Sequence, residues 1–219
     1  MFKAIVFDMD MTLCYPRKEF DNIFKNIFNK TVESVMPGWL EKITIDGPCS
    51  GQEAVDYCFS DYSLSERQLL FQSLTQQWAD AQELFHGVPD LPRKLKDRYG
   101  CKVGIMTNGP SVTQHAILDH LKLIENFDFC YASGDDNIAM RKPNDGLITL
   151  LQERENIVPS EALFVGDSVL KDLAPAIRCG WSGLHVDPTN AQDCYVTFKS
   201  LEKATRSGEC LTLNWANLA

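Results

Sequence analysis

No two cysteines in this chain are spaced C-x-x-C. Eight are present among 219 residues, at positions 14, 49, 58, 101, 130, 179, 194 and 210. Without that spacing they favour reduced thiols, several of them buried as small apolar groups, over a zinc knuckle or a redox pair. His115 and His120 are five residues apart, which puts them on different sides of a helix and makes them poor joint metal ligands. Long apolar runs are also missing. None approaches the roughly 20 residues that cross a bilayer, and Asp8 and Asp10 interrupt the N-terminal apolar stretch before a signal-peptide core could form. The expectation is a cytoplasmic protein without a membrane partner. Clustered Lys and Arg are lacking too: 21 basic residues against 30 acidic ones leave a formal charge of -9. That argues against a nucleic-acid surface, whose affinity comes from grouped positive charge. There is no internal repeat and no low-complexity segment. What remains, 44% hydrophobic and 23% charged, is an ordinary globular composition, long enough for one sizeable core or a core with a smaller domain attached.

Short apolar or β-branched runs recur at 3–7, 102–106, 128–132, 162–165 and, more weakly, 183–187. Helical patterns separate the later ones, the alternation of an α/β protein with a parallel sheet and crossover helices. Ser111 is the expected N-cap of a helix running to Ile124, and Pro143-Asn144-Asp145 opens another with Leu147, Ile148, Leu150 and Leu151 on its apolar face. A last helix is expected from about Asp172 to Gly180, whose glycine suits a helix end. Between the first two runs the texture changes. Phe20, Ile23, Phe24, Ile27 and Phe28 fall on one helical face, and Leu70, Leu74, Trp78, Ala81 and Phe85 continue the theme. This predicts an all-helical insertion over 16–85, set into an α/β core formed by 1–15 and 86–219. Pro and Gly at the two joints break the pattern. The tail 188–219 shows only weak periodicity.

The polar residues of interest share an address. Asp8 follows AIVF, Thr107 follows KVGIM and Asp167 follows ALFVG, each just past the carboxyl end of a predicted strand. That edge is where open α/β sheets bind ligands. Asp8, Asp10, Asp167 and Asp172 would bring up to four carboxylates into one crevice. Two such charges about 4 Å apart repel by roughly 4 kcal/mol at an effective dielectric near 20, so the site must hold a proton or a cation. All the candidate ligands are hard oxygens with no His or Cys among them, which favours Mg²⁺ over zinc. Thr107, Asn108 and the backbone after Gly109 offer neutral donors, and Lys142 in MRKPN offers a positive charge. Together these suit a phosphoryl group, which needs positioning and charge stabilisation. A calcium loop is the competing reading of Asp8, Asp10, Thr12 and Glu19, but Leu13 stands where its glycine is required and the flanks are not helical.

FDMDMTL, MTNG, RKPN and GDSVLKD, in this order, resemble the four motifs of the haloacid dehalogenase superfamily, specifically its phosphatase branch with a helical cap between the first and second motifs. The resemblance covers about residues 3–187. It implies a Rossmann-like core of strand order 5-4-1-2-3 and Mg²⁺-dependent hydrolysis of a small phosphorylated metabolite, phosphoglycolate phosphatase-like or nucleotidase-like, through an aspartyl-phosphate. In that scheme Asp8 is the nucleophile and Asp10 the general acid and base. Mg²⁺ is held by the Asp8 carboxylate, the Asp10 backbone carbonyl and Asp167, with Asp172 in support. Thr107 and the Asn108 amide bind phosphoryl oxygens, and Lys142 offsets charge on the nucleophile and the transferring group. Met11 departs from the family pattern, which has glycine there, and this puts the loop's geometry in question. Dehalogenases of the superfamily lack an acid at the position of Asp10, so dehalogenation is not expected. Two other readings remain: a phosphomutase that returns the phosphoryl group to a sugar, and a catalytically idle binding or regulatory protein that keeps the fold.

Overall fold

The computed structural model describes residues 2–35, 55–56, 59–138, 140–187 and, for the backbone, 210–214. Cys49, Cys58, Trp39 and Cys194 lie outside the described residues. Strand β1, Ala4–Phe7, is buried along its whole length: Ile5 and Phe7 join one apolar cluster, Ala4 and Val6 another. A strand covered on both faces is what a parallel sheet flanked by helices requires. After β1 the chain forms β2 (Cys14–Pro16), helices α1 (Phe20–Phe28), α2 (Val32–Val35) and α3 (Leu64–Asp80), and β3 (Gln82–Leu84). Then follow α4 (Leu91–Tyr99), β4 (Lys102–Thr107), α5 (Ser111–His120), β5 (Phe129–Ala132), α6 (Asp145–Glu155) and β6 (Ala162–Gly166). A single π-helical turn, Val169–Leu173, leads into α7 (Ala174–Arg178), before β7 (Ser182–Asp187) and β8 (Cys210–Asn214) close the sheet.

The main sheet runs β5-β4-β1-β6-β7-β8, all parallel. Counting only its own strands along the chain, the order is 6-5-4-1-2-3, which differs from the expected 5-4-1-2-3 by one added strand. That strand, β8, comes from the tail whose periodicity carried no signal. The chain leaves β1 toward β4 and later returns to its other side at β6, so the order reverses beside β1. Leu91, Leu95, Ile117 and Leu118 cover one face of the sheet, and Leu147, Ile148, Leu151, Ala176 and Trp181 the other.

Helix boundaries differ from expectation where local chemistry decides. α5 ends at His120 rather than Ile124, because Lys122 turns into the left-handed region at φ 55°. Ser111 is its first residue rather than its cap, and its hydroxyl donates to Asp135 Oδ1 at 2.6 Å. The Asn144 side chain caps α6 by accepting from the Gly146 N–H at 2.8 Å. Within 16–85, the stretch expected to be an insertion, Phe24, Val32, Val55, Phe59 and Phe71 form a small apolar cluster of their own. The segment is not all-helical, however. β2 and β3 pair antiparallel at its two joints, so α3 stops at Asp80, and Phe85 belongs to the cluster under the main sheet. α3 lies along α5, and Asp80 Oδ1 is 3.5 Å from His120 Nδ1. Among the described residues no helix is long and apolar enough to cross a membrane, and the described thiols are unpaired, with burial raising Cys130 to about 12 and Cys101 to about 11.

Candidate active site

The apolar run of β1 ends at Asp8, whose backbone N–H donates to Val165 O of β6 at 2.9 Å. The first carboxylate is thereby fixed to the strand pair at which the sheet order reverses, and its side chain is buried. Asp8 Oδ1 accepts from Lys142 Nζ at 2.5 Å, while among the described residues Oδ2 has only a long contact of 3.4 Å from the Thr12 hydroxyl. The same ammonium donates to Asp172 Oδ1 at 2.6 Å. Lys142 is 3% exposed, so a charge this deep persists only because two carboxylates surround it. Asn108 sets where Lys142 starts: its side-chain Oδ1 accepts from the Lys142 N–H and its Nδ2 donates to the Lys142 carbonyl, both at 2.9 Å.

Asp172 sits in the π-helical turn, where Ser168 N–H donates to its Oδ2 at 3.0 Å. A β-carbon on Gly166 would come within 2.4 Å of that oxygen, so the glycine ending β6 makes room for the carboxylate. Asp167 follows β6 directly, and its carbonyl accepts from His185 Nε2 of β7 at 2.8 Å. One carboxylate oxygen from each of Asp8, Asp167 and Asp172 lies within 4.8 Å of the others. Three hard anionic donors at that spacing, with no His or Cys among them, fit a magnesium-sized cation.

Asp10 faces the ends of β4 and α5. Its Oδ2 accepts from Gln114 Nε2 at 2.9 Å and from the buried Thr107 hydroxyl at 3.4 Å. Among the described residues acting on Asp8, three further carboxylates stand against the Lys142 ammonium, and the proton affinities follow. Burial, with Asp172, Asp10 and Asp167 adding to it against Lys142, raises Asp8 well above the usual carboxylate range. Burial also raises Asp10, opposed by the Gln114 hydrogen bond, Lys142 and Thr107. Asp167 is pushed up to about 6 by burial and by Asp172. Burial disfavours the Lys142 charge, but Asp172 and Asp8 outweigh it and hold the ammonium above its ordinary value.

All seven residues singled out in the sequence therefore lie at the carboxyl edge of the sheet or in the loops beside it: Asp8, Asp10, Thr107, Asn108, Lys142, Asp167 and Asp172. Asn108 uses its side chain on the Lys142 backbone, and the Thr107 hydroxyl lies against Asp10 and Gln114. Gln114 and His185 carry no motif and could not be singled out beforehand; Ser168 offered only the general preference of serine for helix starts.

The chain is similar to known proteins across most of its length. A phosphoglycolate phosphatase of Pseudomonas aeruginosa is 34% identical over 100 residues, 44% of this chain and 36% of that protein. One from Pseudomonas putida is 30% identical over 115 residues, 52% of this chain and 41% of that protein, so the matches span less than half of either relative. Among solved structures, a β-phosphoglucomutase of Thermotoga maritima described as putative superposes with a TM-score of 0.65 at 17% identity, covering 99% of this chain and 96% of that one. The HAD-hydrolase YfnB of Bacillus subtilis, solved bound to magnesium, superposes with a TM-score of 0.63 at 20% identity over 86% and 90% of the two chains. The sequence profile of the haloacid dehalogenase-like hydrolases matches residues 2–180, and with its four motifs gathered at one sheet edge the chain belongs to that family.

Proposed function

We propose that this protein is a Mg²⁺-dependent phosphatase that hydrolyses a small phosphorylated metabolite through an aspartyl-phosphate on Asp8. The observation that carries this reading is the division of labour around Asp8. One of its oxygens is held by Lys142 while the other has, among the described residues, only a long hydroxyl contact, and a second carboxylate, Asp10, stands two residues away in a separate hydrogen-bond environment. Two carboxyl groups with different surroundings suit a nucleophile and a general acid and base. Lys142 neutralises Asp8 as it takes up the phosphoryl group. The backbone amide of Asn108 is assigned to a phosphoryl oxygen, and the Thr107 hydroxyl to another once its single proton turns from the long 3.4 Å contact with Asp10 to the substrate, leaving the Gln114 amide on Asp10. Asp8, Asp167 and the Asp10 carbonyl are assigned to the metal, and Asp172 supports them, since both of its oxygens already accept hydrogen bonds. When bound, Mg²⁺ supplies charge stabilisation to the transferring phosphoryl group.

The segment 16–85 is assigned as a cap over the core of 1–15 and 86–219, with the β2–β3 ribbon as its stem, where it would exclude water until the phosphoenzyme must be hydrolysed. Because curated relatives include phosphoglycolate phosphatases, 2-phosphoglycolate heads the substrates to assay, with sugar phosphates and nucleoside monophosphates after it. A panel of these esters, assayed with Mg²⁺ and with EDTA, should show metal-dependent phosphate release that Asp8→Asn abolishes. Turnover that survives Asp8→Asn, or is indifferent to EDTA, defeats the assignment.

A further inference from the structure

Gln114 has no part in the chemistry assigned so far, yet it is 5% exposed and reaches from α5 to Asp10. Its Nε2 lies 2.9 Å from Asp10 Oδ2, 2.7 Å from Asn108 O and 3.3 Å from Thr107 Oγ1. Acceptors on every side of this end identify it as the nitrogen, because the opposite orientation would set an amide oxygen against a carboxylate and a carbonyl. The approach is close. A β-carbon on Gly109 would fall 2.4 Å from the same Nε2. The other end, Oε1, is buried and accepts from none of the described residues, a cost that a leucine of similar size would not carry. Packing alone therefore does not account for an amide at this position.

Its consequence falls on Asp10. Oδ2 accepts from both the Gln114 amide and the Thr107 hydroxyl, whereas Oδ1 accepts from none of the described residues. We propose, building on the phosphatase reading, that Gln114 is a positioning residue: it pins Oδ2 of Asp10 as an acceptor and so leaves Oδ1 to exchange the proton with the departing oxygen. In the first half-reaction an Asp8 oxygen bonds to phosphorus, and the ester P–O bond breaks with its electron pair going to the leaving oxygen. The Asp10 Oδ1 proton moves to that oxygen, leaving Asp10 ionised. In the second, the oxygen of a water molecule bonds to phosphorus as its proton passes to Oδ1, and the bond between phosphorus and Asp8 breaks with its electron pair restoring the Asp8 carboxylate. Without Gln114 the carboxyl group can rotate, and the proton is no longer presented at a fixed point.

The test exploits leaving groups. An alkyl oxygen departs poorly without a proton, while p-nitrophenolate departs without one, and kcat/KM reports the steps up to transfer onto Asp8. In Gln114→Met, which keeps volume and removes the donor, kcat/KM for an alkyl phosphate that the wild-type protein hydrolyses should fall by about 10- to 100-fold. For p-nitrophenyl phosphate it should change by less than about 3-fold on the same reasoning. The ratio is internal to each preparation, so a partly unfolded sample lowers both rates alike. Gln114→Glu keeps the shape, replaces the donor with oxygens and should shift the ratio in the same direction. Equal losses on the two esters in both variants, or no loss in either, overturn the role of Gln114 while leaving the phosphatase reading intact. A wild-type protein inactive on every ester overturns both.

Discussion

At position 11 a side chain occupies a backbone conformation that suits glycine. Met11 has φ 60°, with its N–H donating to Cys14 O at 2.8 Å across the turn that follows Asp8. A left-handed residue with a β-carbon costs roughly 1–2 kcal/mol, while glycine gives back about 0.5–1 kcal/mol through its freer unfolded chain. Met11→Gly should therefore raise stability modestly, by about 0–1.5 kcal/mol on those figures in urea unfolding, and Met11→Val should lower it clearly, because branching at the β-carbon is least compatible with positive φ. Equal stability of the valine and glycine variants would show that the turn does not need this conformation. Lys142 is the other residue whose loss is informative. Lys142→Met leaves Asp8 and Asp172 buried without their shared cation. Stability should fall by about 3 kcal/mol at neutral pH and recover in part at low pH or with Mg²⁺, since either a proton or a cation can replace the ammonium. A melting temperature insensitive to both would contradict the charge balance described for this pocket.

At the scale of elements, the site depends on how closely β6 and the π-helical turn approach. Gly166→Ala would drive a methyl group into Asp172, its nearest atoms 2.4–2.6 Å away. The expected cost is about 1–3 kcal/mol, and on the proposed assignment of Asp172 to the support of the metal ligands the thermal shift on adding Mg²⁺ should also shrink. Gly183→Ala, also on the sheet, meets Ile177 and Leu173 at 3.3 Å; it should cost less and leave the Mg²⁺ shift unchanged. If both substitutions behave alike, the Gly166 effect is ordinary crowding. Elements of this kind also mark the limit of what the sequence conveys. β1, β4 and β6 were legible because a short apolar run that stops abruptly at a polar residue fits little besides a strand covered on both faces, and the shared position of the candidate acids at one sheet edge was legible because they follow those runs or lie in the turns after them. The π-helical turn was not, since nothing in VLKDL separates it from the start of an α-helix. The β2–β3 ribbon was not, because three residues on each side are too few for a period of two to appear. Gln114 was invisible for a different reason: its role depends on a missing β-carbon at Gly109 and on acceptors from three other residues, a conjunction that only the folded chain brings together.

At the scale of the whole molecule, the fold gathers carboxylates at one sheet edge in a chain already carrying a formal charge of -9, so its stability and its metal affinity should depend on pH in opposite directions. Asp167 shows the sign. Its carboxyl group rises from an ordinary 3.8 to about 6 on folding, so between those values the unfolded chain has lost a proton that the folded protein keeps. As pH rises through this window the unfolded state gains, and the metal-free protein loses on the order of 2 kcal/mol from this residue alone. Cation binding runs the other way, because it requires the ionised ligands. The melting temperature of metal-free protein should therefore fall from pH 4.5 to pH 7 in the part governed by Asp167, and the upward shift caused by Mg²⁺ should grow over the same interval. Asp167→Asn separates the two effects, since a neutral amide of the same shape never ionises. At pH 7 without metal it should melt above the wild-type protein, and Mg²⁺ should add little. If wild-type and Asp167→Asn proteins show the same pH profile and the same response to Mg²⁺, then Asp167 is neither strained by its neighbours nor a ligand, and the cation site must be built from other groups.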